Sequence, residues 1–443
     1  MDGNALVAVA SADELAQVID SANGGASPIA IELRADIRLT EALPTIEADL
    51  TIQGNGHTID GNGVSKTLVV VGDRHVSISG TQFINRNHEQ ITVIDSMGIV
   101  KVADCVFDCR SDGSRGSVSI FNHHGRPLTR ERHAGEMSLS NCTFLGNSAD
   151  ALGCRIDNFA SMNISRCFFE SNSVSRNVIF NIGDLTATHC SFVNNTGAGA
   201  GVAITNEGNV NLSDCVLANN VATEWFGGAL FNDKGDMRLN RCSLLGNRAS
   251  GGGAILNRMG ELTLENCTLM GNSGELAGGA IRSGNGYLSL SNCTIAGNRA
   301  EKGAGLLADG GDVRLTHVTM VNNSAEIGGG VYALDEGYKD GIGLRNSIIA
   351  GNQGGDYVGC LDYSVGNLIG DGSCDRSLSG DPMLGELVEP EDGSPAYYPP
   401  LPDSPVINAA HRHFCTKYDQ IGTYRPYKSF AGDIGAIEYV FDA

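Results

Sequence analysis

One stretch of this sequence concentrates side chains that could do chemistry on an acidic substrate. The chain carries a formal net charge of -21, yet residues 122–136 form a basic segment. Its candidates for proton transfer and charge neutralisation are His123, His124, His133, Arg126, Arg130 and Arg132. Arginine pairs with carboxylates through parallel hydrogen bonds, and histidine exchanges protons near neutral pH. The segment therefore predicts a catalytic loop for an anionic substrate, although a solvated loop with surface cations would have the same composition.

A second set of side chains is expected to line the surface beside that loop. Short apolar strands ending in asparagine recur along the chain, and the residues one and three places before the asparagine should face solvent because side chains alternate along a strand. With two residues from neighbouring loops, the predicted substrate-binding positions are Asp95, Phe121, Arg155, Asp157, Arg176, Phe180 and His88. The phenylalanine rings could stack on sugar faces, although exposed aromatic residues are also ordinary on protein surfaces.

An internal repeat fixes where these side chains lie. Segments such as ELTLENCTLMGN and YLSLSNCTIAGN are copies of one unit. A cysteine marks the same position in eight copies, namely Cys105, Cys142, Cys167, Cys190, Cys215, Cys242, Cys267 and Cys293. We expect Thr81, His317 and Ser347 at that position in the outer copies. The copies follow at about 23–27 residues, apart from a gap of 37 that holds the basic segment, and such a period is typical of solenoid proteins.

The repeat is built from β-strands. Apolar and polar residues alternate in segments such as 262–264, and three such short stretches, with glycine and asparagine between them, make up each copy. This pattern predicts an all-β fold, a single-stranded right-handed parallel β-helix of about 11–12 coils, each adding ~4.8 Å of length. The corner asparagines should stack in a hydrogen-bonded ladder, and they are Asn122, Asn158, Asn181, Asn206, Asn232 and Asn257. The cysteines should stack inward as a ladder of small apolar side chains.

The two ends of the chain differ from the repeats. Ser11 and Glu14 have the spacing of a capping box, which predicts a helix at about 11–22 within an N-terminal cap at 1–57. The β-helix should occupy 58–352, and a proline-rich, loop-rich C-terminal cap packed on it should occupy 353–443. Cys360 and Cys374 in that cap are the best candidates for a disulfide, and no paired Cys-x2-Cys motifs indicate zinc.

Composition and charge exclude several classes of protein. Hydrophobic residues make up 41% of the chain, enough for a core, which argues against intrinsic disorder. A membrane-spanning helix would need about 18 or more consecutive apolar residues, and no such run occurs. A nucleic-acid binder should carry a basic face, which a net charge of -21 disfavours. Because no leader is recognisable, we expect a secreted form to have lost it.

The C-terminal region carries a family resemblance. Its motifs are GNLIGDGSC at 366–374, SPVINAA at 404–410, YDQIGTYRP at 418–426 and DIGAIE at 433–438. With these motifs the chain resembles bacterial surface β-helix proteins with a choice-of-anchor Q region, and its GGA and FxxN elements resemble repeats of chlamydial polymorphic outer-membrane proteins. The resemblance implies a secreted or cell-surface location and no particular activity. Similar proteins have a cysteine before the DIGA element, apparently paired with the one matching Cys415; here Gly432 stands there, so Cys415 is expected to be unpaired.

Fold-level similarity to pectate lyases suggests a function. It implies a polysaccharide lyase that binds an anionic, uronate-containing polysaccharide along the outer strands and cleaves it by β-elimination. The arginines would neutralise the uronate carboxylate and the histidines would move protons. We expect no cofactor, with calcium left open but unsupported by a clear ligand cluster. The alternatives are a non-catalytic surface adhesin or structural rod, a uronate epimerase, and an inverting glycoside hydrolase, since Asp95 and Asp157 should lie two coils apart.

Overall fold

The computed structural model describes residues 5–25, 29–85, 90–108, 117–123, 135–146, 154–334, 341–375, 377–426 and 431–440. The chain is an all-β parallel β-helix of about 12 turns, as the repeat predicts. It divides into two compact units, the first made of 1–197 with 208–210 and the second of 198–207 with 211–443.

The first unit begins with a strand and the one α-helix among the described residues, Ala12–Asn23, whose N-cap Ser11 accepts a hydrogen bond from the Glu14 backbone. The strands of the longest sheet in this unit are Ala5–Val9, Ile29–Leu33, Leu50–Gln53, Lys66–Val70, His75–Ser79, Gln90–Ser96, Ile99–Ala103, Ser117–Asn122, Glu136–Ser140, Cys154–Asn158, Ser161–Ser165, Ile179–Asn181 and Asp184–Thr188. The second sheet contains Ile37–Arg38, Thr58–Asp60, Gln82–Ile84, Val106–Asp108, Thr143–Leu145, Phe168–Glu170 and Ser191–Val193. The third contains Ser173–Val174 and Thr196–Gly197.

The second unit repeats this three-sheet arrangement, and Asn209–Ser213 contributes residues to both units. Its longest sheet contains Ile204–Asn206, Asn209–Ser213, Leu230–Asp233, Asp236–Asn240, Ile255–Arg258, Glu261–Glu265, Ile281–Ser291, Leu306–Thr316, Val331–Ala333, Ile342–Arg345, Tyr357–Gly359 and Leu361–Val365. The second sheet contains Val216–Ala218, Ser243–Leu245, Thr268–Met270, Thr294–Ala296, Thr319–Val321, Ile348–Ala350 and Leu368–Ile369. The third contains Val221–Ala222, Arg248–Gly251, Ser273–Ala277 and Arg299–Lys302. A 3-10 turn at Arg412–Phe414 follows in the C-terminal loops.

The cysteine ladder is present as predicted, and the backbone explains its position. All eight ladder cysteines are buried. The residue before each one has a left-handed backbone, as at Asn141 (φ 51°) and Arg166 (φ 50°), which turns the next side chain inward. The Cys142 thiol then donates to the Ser140 carbonyl at 3.3 Å. A small side chain with a weak donor therefore fits a tight corner whose carbonyl points inward.

One position in the predicted alignment is wrong by a residue. The strand pairing matches Ser291 with Thr316 and Thr294 with Thr319, so Val318, not His317, stands opposite Cys293. His317 instead takes the left-handed corner position, with φ 52°.

Asparagine side chains form the predicted ladder and a second one. In the first unit the Asn122 amide donates to Asn158 at 2.7 Å, and Asn158 donates to Asn181 at 2.7 Å. In the second unit Asn206 donates to Asn232 at 2.9 Å, and Asn232 to Asn257 at 2.9 Å. The additional ladder in the second unit, which the sequence reasoning missed, joins Asn220, Asn247, Asn272, Asn298, Asn323 and Asn352. Each amide is both donor and acceptor, so identical residues in register satisfy one another inside the core.

A stack of buried phenylalanines fills the core of the first unit. The rings of Phe83, Phe107, Phe144, Phe169 and Phe192 lie nearly parallel, with neighbouring centroids 4.5–5.2 Å apart. All five side chains are fully buried. Because five successive strands of the second sheet, from Gln82–Ile84 to Ser191–Val193, each contribute the central residue to this stack, the rings pack at the spacing that the backbone imposes.

The motifs of the C-terminal resemblance build a buried polar network in the second unit. Arg425 is fully buried and donates to Glu438 at 2.8 Å and to the Gly435 carbonyl at 2.8 Å. Glu438 also accepts from the Asp433 backbone at 2.9 Å. Burial raises the pKa of Glu438 to about 7, despite the hydrogen bonds that favour its ionised form. These residues therefore hold the C-terminal loops together rather than forming an exposed site.

The same loops attach to the strands through side chains. Gln420 bridges Thr294 Oγ1 at 2.6 Å and Thr268 Oγ1 at 3.0 Å. His317 Nδ1 lies 3.2 Å from the Gly435 carbonyl, and Asn346 Nδ2 lies 3.2 Å from His317 Nε2. Burial lowers the pKa of His317 well below its usual value, so the ring is neutral and donates from Nδ1 while it accepts at Nε2.

The cysteines outside the ladder are not bridged as the sequence suggested. Cys374 is a buried free thiol, so the disulfide expected between Cys360 and Cys374 is not formed. Cys415 is a half-buried free thiol, as the substitution by Gly432 predicts. A Cβ atom built on Gly432 would lie 3.4 Å from Cys415 Sγ.

Replacing Phe169 by alanine should lower the free energy of unfolding by about 3–5 kcal/mol, because it opens a cavity inside the ring stack. The adjacent Phe168 is 54% exposed, so Phe168→Ala is a matched control with an expected change within about 0.5 kcal/mol. Chemical denaturation followed by circular dichroism measures both. Equal effects of the two variants would contradict the buried stack.

Gly432→Cys should form a disulfide with Cys415 under mild oxidation, because the two positions already lie within reach of a ~2.05 Å S–S bond. Thiol titration and peptide mapping by mass spectrometry would detect it. Gly385→Cys, whose Cβ would meet Pro399 and Leu401, serves as the control that leaves Cys415 reduced. A Gly432→Cys variant with two free thiols would show that the C-terminal loops are arranged differently.

Candidate functional site

Four of the predicted binding residues form a row across neighbouring strands of the first unit. Strand pairing places Asp95 opposite Phe121, Phe121 opposite Asp157, and Asp157 opposite Phe180. Asp95 is buried, whereas the other three are partly exposed. Each step along the row is one inter-strand spacing of ~4.8 Å, so the row spans four coils on one surface of the unit.

A charged network surrounds the first residue of the row. Asp95 Oδ1 lies 2.8 Å from His123 Nε2, and Asp95 Oδ2 accepts a hydrogen bond from Lys66 Nζ. The Asp95 side chain is only 9% exposed. Burial alone would raise the pKa of Asp95, but the hydrogen bonds from His123 and Lys66 outweigh it and hold this pKa below its usual value. Asp95 is therefore a carboxylate that orients His123 and is not a proton donor near neutral pH.

Arg155 and Asp157 form a second ion pair two coils further along. Arg155 Nε and Nη2 donate to Asp157 Oδ1 at 2.9 and 2.7 Å. The Arg155 guanidinium lies 6.0 Å from the centre of the Phe180 ring, at the limit of a cation–π contact. Both charged side chains are partly buried, so the pair is held in place and presents a fixed guanidinium to the surface.

Aromatic rings fill the surface between the two ion pairs. The Phe121 ring lies 5.1 Å from the His123 ring and 5.1 Å from the Phe159 ring, and Phe159 lies 6.2 Å from Phe180. All three phenylalanines are partly exposed. The row therefore combines an apolar surface, two cations and a histidine held by a carboxylate.

The structure brings together only some of the predicted residues. His123 joins Asp95, as described, and Arg155 joins Asp157. Arg176 is exposed and forms no ion pair with a described residue. The remaining predicted residues lie outside the described part of the chain: His88, His124, His133, Arg126, Arg130 and Arg132.

Sequence reasoning missed two members of the site. Lys66 lies on the strand Lys66–Val70, which pairs with Gln90–Ser96. Extending the repeat one coil towards the N-terminus could have located this strand, but it would have placed Val69 opposite Asp95. Phe159 directly follows the ladder residue Asn158. An aromatic residue just after a buried corner asparagine could have indicated this member of the site. No cluster of three His, Cys, Asp or Glu side chains that could hold a metal ion occurs within the described ranges.

A comparison with protein-family models supports the class of fold. A family model described as "Right handed beta helix region" matches residues 200–367. Among solved structures, the chain is similar to pectate lyase Pel9A, with a TM-score of 0.37 and 12% identity over 82% of this chain and 88% of that chain. No curated protein matches the sequence. No helix in the described ranges combines the length and apolar character that crossing a bilayer requires.

Lys66→Met should raise the pKa of Asp95, because burial continues to disfavour the carboxylate after one of its two partners is lost. In the wild-type protein the ionised Asp95 stabilises the fold above its unfolded pKa of about 3.9, and this stabilisation is lost as the pH falls through the lower folded pKa. The Lys66→Met variant should lose this stabilisation at a higher pH than the wild-type protein does.

Carbon-13 NMR titration of the Asp95 carboxyl group measures this shift. Lys101 is exposed on another strand of the first unit, so Lys101→Met is the control and should leave the titration unchanged. An unaltered Asp95 titration in Lys66→Met would refute the network.

Proposed function

We propose that the protein is a polysaccharide lyase that cleaves a uronate-containing polysaccharide lying along the row from Asp95 to Phe180. The observation that carries this proposal is the His123–Asp95 hydrogen bond of 2.8 Å, with Lys66 on the same carboxylate and Arg155 two coils further along the row. A carboxylate fixes the orientation of an imidazole and stabilises its protonated form, which suits a group that accepts a proton. The parallel β-helix supplies the flat row of strands on which a linear polymer can lie.

The chemistry assigns a role to each group. His123 would accept the proton from the carbon next to the uronate carboxylate. The electron pair released would form a double bond to the neighbouring ring carbon as the bond from that carbon to the glycosidic oxygen breaks. The leaving sugar oxygen takes up a proton from water, and His123 returns the proton it accepted to the solvent before the next cycle. Charge developing on the carboxylate needs a nearby cation, and the described part of the row supplies Lys66 beside Asp95 and Arg155 beside Asp157.

The basic segment completes the proposed site. Arg126, Arg130 and Arg132 would add positive charge for the substrate carboxylates, and His124 and His133 are further candidates for proton transfer. Phe121, Phe159 and Phe180 would contact the sugar rings. A calcium ion is an alternative means of neutralising the substrate carboxylate.

The charge state of Asp95 favours elimination over hydrolysis. An inverting glycoside hydrolase needs one protonated carboxyl group to donate to the leaving oxygen and one carboxylate to activate water. The pKa of Asp95 is lowered by His123 and Lys66 against the effect of burial, so this carboxyl group cannot serve as the acid. The acid role would then fall to Asp157, which already accepts two hydrogen bonds from Arg155, so the pair is poorly suited to hydrolysis.

A non-catalytic adhesin is the second candidate function. The ion pairs of the row are already satisfied within the protein, as for Arg155 and Asp157, and such a surface could bind a glycan without changing it. For either function we also propose a secreted or cell-surface location, since the C-terminal motifs resemble those of surface proteins and the polymer would be extracellular. Labelling of intact cells with an impermeant reagent tests the location, and an unlabelled protein would contradict it.

The activity test is a screen of pectic, alginate and glycosaminoglycan polymers. We expect at least one to yield products with the ultraviolet absorbance of an unsaturated uronate. His123→Gln should reduce that rate by about 100-fold or more, since a general base contributes ~10²–10⁴-fold. The exposed His75 of the same unit provides the control His75→Gln, which should keep the wild-type rate.

A second variant pair tests the cation. Arg258 pairs with Asp233 in the second unit and lies 5.2 Å from the Phe231 ring, which copies the surroundings of Arg155. Arg155→Gln should slow cleavage, whereas Arg258→Gln should not. Reducing ends without the unsaturated chromophore would identify a hydrolase, and a polymer that is bound but left intact would identify an adhesin. Each of these outcomes would overturn the lyase proposal.

A further inference from the structure

A column of left-handed corner residues runs along the second unit. Its members have φ angles of 48–55° and are Arg241, Asn266, Asn292, His317 and Asn346. They occupy equivalent places in successive coils, because each directly follows a strand and precedes a ladder position. Their side chains therefore point away from the core at a regular spacing.

The C-terminal loops cover one end of this column. Asn346 Nδ2 donates to the His411 carbonyl at 3.2 Å, and His317 Nδ1 lies 3.2 Å from the Gly435 carbonyl. Asn292 Nδ2 donates to the Tyr418 carbonyl at 3.0 Å. The covered corner residues thus bind polar groups of a chain segment laid across them, and the covering ends at the turn 418–422.

A cleft opens where the covering ends. It has a volume of about 540 Å³, with Arg241 and Asn266 on one side, the turn 418–422 on another, and the segment 390–397 on the third. Ligand sites for small molecules typically have volumes of ~300–1,000 Å³. The cleft is therefore large enough for a short oligosaccharide.

The cleft is lined by more apolar than polar surface, and one cation, Lys417, has its Nζ 4.9 Å from the centre of the Tyr418 ring. Arg241 is paired with Asp214 through two hydrogen bonds of 2.6 and 2.7 Å, so its charge is compensated. Asp392 adds a carboxylate, whose pKa is lowered by its hydrogen bonds with Ser394. This balance disfavours an anionic ligand and supplies both donors and acceptors, which suits the hydroxyl groups of an uncharged sugar.

Apolar surface accompanies these polar groups. The side chains of Tyr418 and Ile421 are each 46% exposed, and Tyr397 is partly exposed beside them. An aromatic ring with a polar tip can contact the apolar face of a sugar and bond to its hydroxyl groups. Asn266 lies across the cleft, where its amide nitrogen donates one hydrogen bond to Asn240 Oδ1 at 3.1 Å. Its second N–H and its carbonyl oxygen can bond to a ligand.

We propose that this cleft binds an uncharged oligosaccharide, with a sugar ring against Tyr418 and its hydroxyl groups bonded to Asn266. The residues of this cleft are not those of the row in the first unit, and the cleft prefers an uncharged glycan where the row is proposed to bind an anionic one. The proposal therefore does not rest on the proposed lyase activity. It would hold the protein on an uncharged glycan.

The test uses cellotriose, xylotriose, maltotriose and mannotriose as probes, with trigalacturonate as the charged comparison. Saturation-transfer NMR and calorimetry on the full chain should detect binding of at least one uncharged trisaccharide. Asn266→Gly removes the amide and keeps the left-handed backbone, and Tyr418→Ala removes an exposed ring. Each should weaken binding by about tenfold or more, as loss of an anchor residue does.

The matched control is Asn285→Gly, which changes an exposed asparagine with φ 53° elsewhere in the second unit and should leave binding unchanged. Three results would overturn the proposal. They are failure of every uncharged trisaccharide to bind, binding that survives both cleft variants, and binding of trigalacturonate that depends on Tyr418. Cleavage of polymers in the activity screen bears on none of these results.

Discussion

Parallel hydrogen bonding between successive coils is the constraint on which each unit of this protein depends. A strand bonded in register to the same strand of the next coil places equivalent side chains directly beside one another at ~4.8 Å. This spacing favours side chains that make good contacts when the same residue type recurs in every coil, and the chain uses three such residue types. Asparagine amides donate to the next amide, phenylalanine rings stack, and small thiols fill a corner next to a carbonyl.

The same constraint assembles the candidate site from distant parts of the chain. Lys66 and Asp95 are 29 residues apart, and Asp95 and His123 are 28 apart, yet all three meet because each lies about one coil from the next. Inward positions are restricted by stacking, whereas outward positions are not. Chemistry can therefore vary on the outer surface without disturbing the ladders, and the row from Asp95 to Phe180 departs from the repeat at such positions.

The sequence predicted features that depend on period and alternation. The β-helix, the first asparagine ladder and the buried cysteines all follow from the spacing of like residues, and the structure confirms them. The prediction that the row faces solvent is wrong for Asp95, which is buried beneath Lys66 and His123, whereas Phe121, Asp157 and Phe180 are partly exposed. The sequence placed His123 and Asp95 in the same candidate site but did not predict that they contact each other. Lys66 was missed because the lysine reaches Asp95 from three residues before its partner strand position, and side-chain reach is not encoded in a repeat.

Features that depend on non-repeating loops were not predictable in the same way. The misplacement of His317 by one residue arose because histidine replaces asparagine at the corner and valine replaces cysteine after it. The C-terminal motifs carried only a family resemblance in the sequence, and the structure shows that Arg425 and Glu438 of these motifs are buried in a structural network. The cleft beside Asn266 and Tyr418 is formed by loops far apart in the chain, and only their packing creates it.

A crystal structure of the protein soaked with a uronate oligomer would test the central claim most directly. The account predicts sugar density across Phe121 and Phe180, with a uronate carboxylate within hydrogen-bond distance of Arg155 or Lys66 and a ring carbon facing His123. An oligomer that instead occupies the matching arginine, Arg258, of the second unit, or that leaves the row empty at saturating concentration, would contradict it.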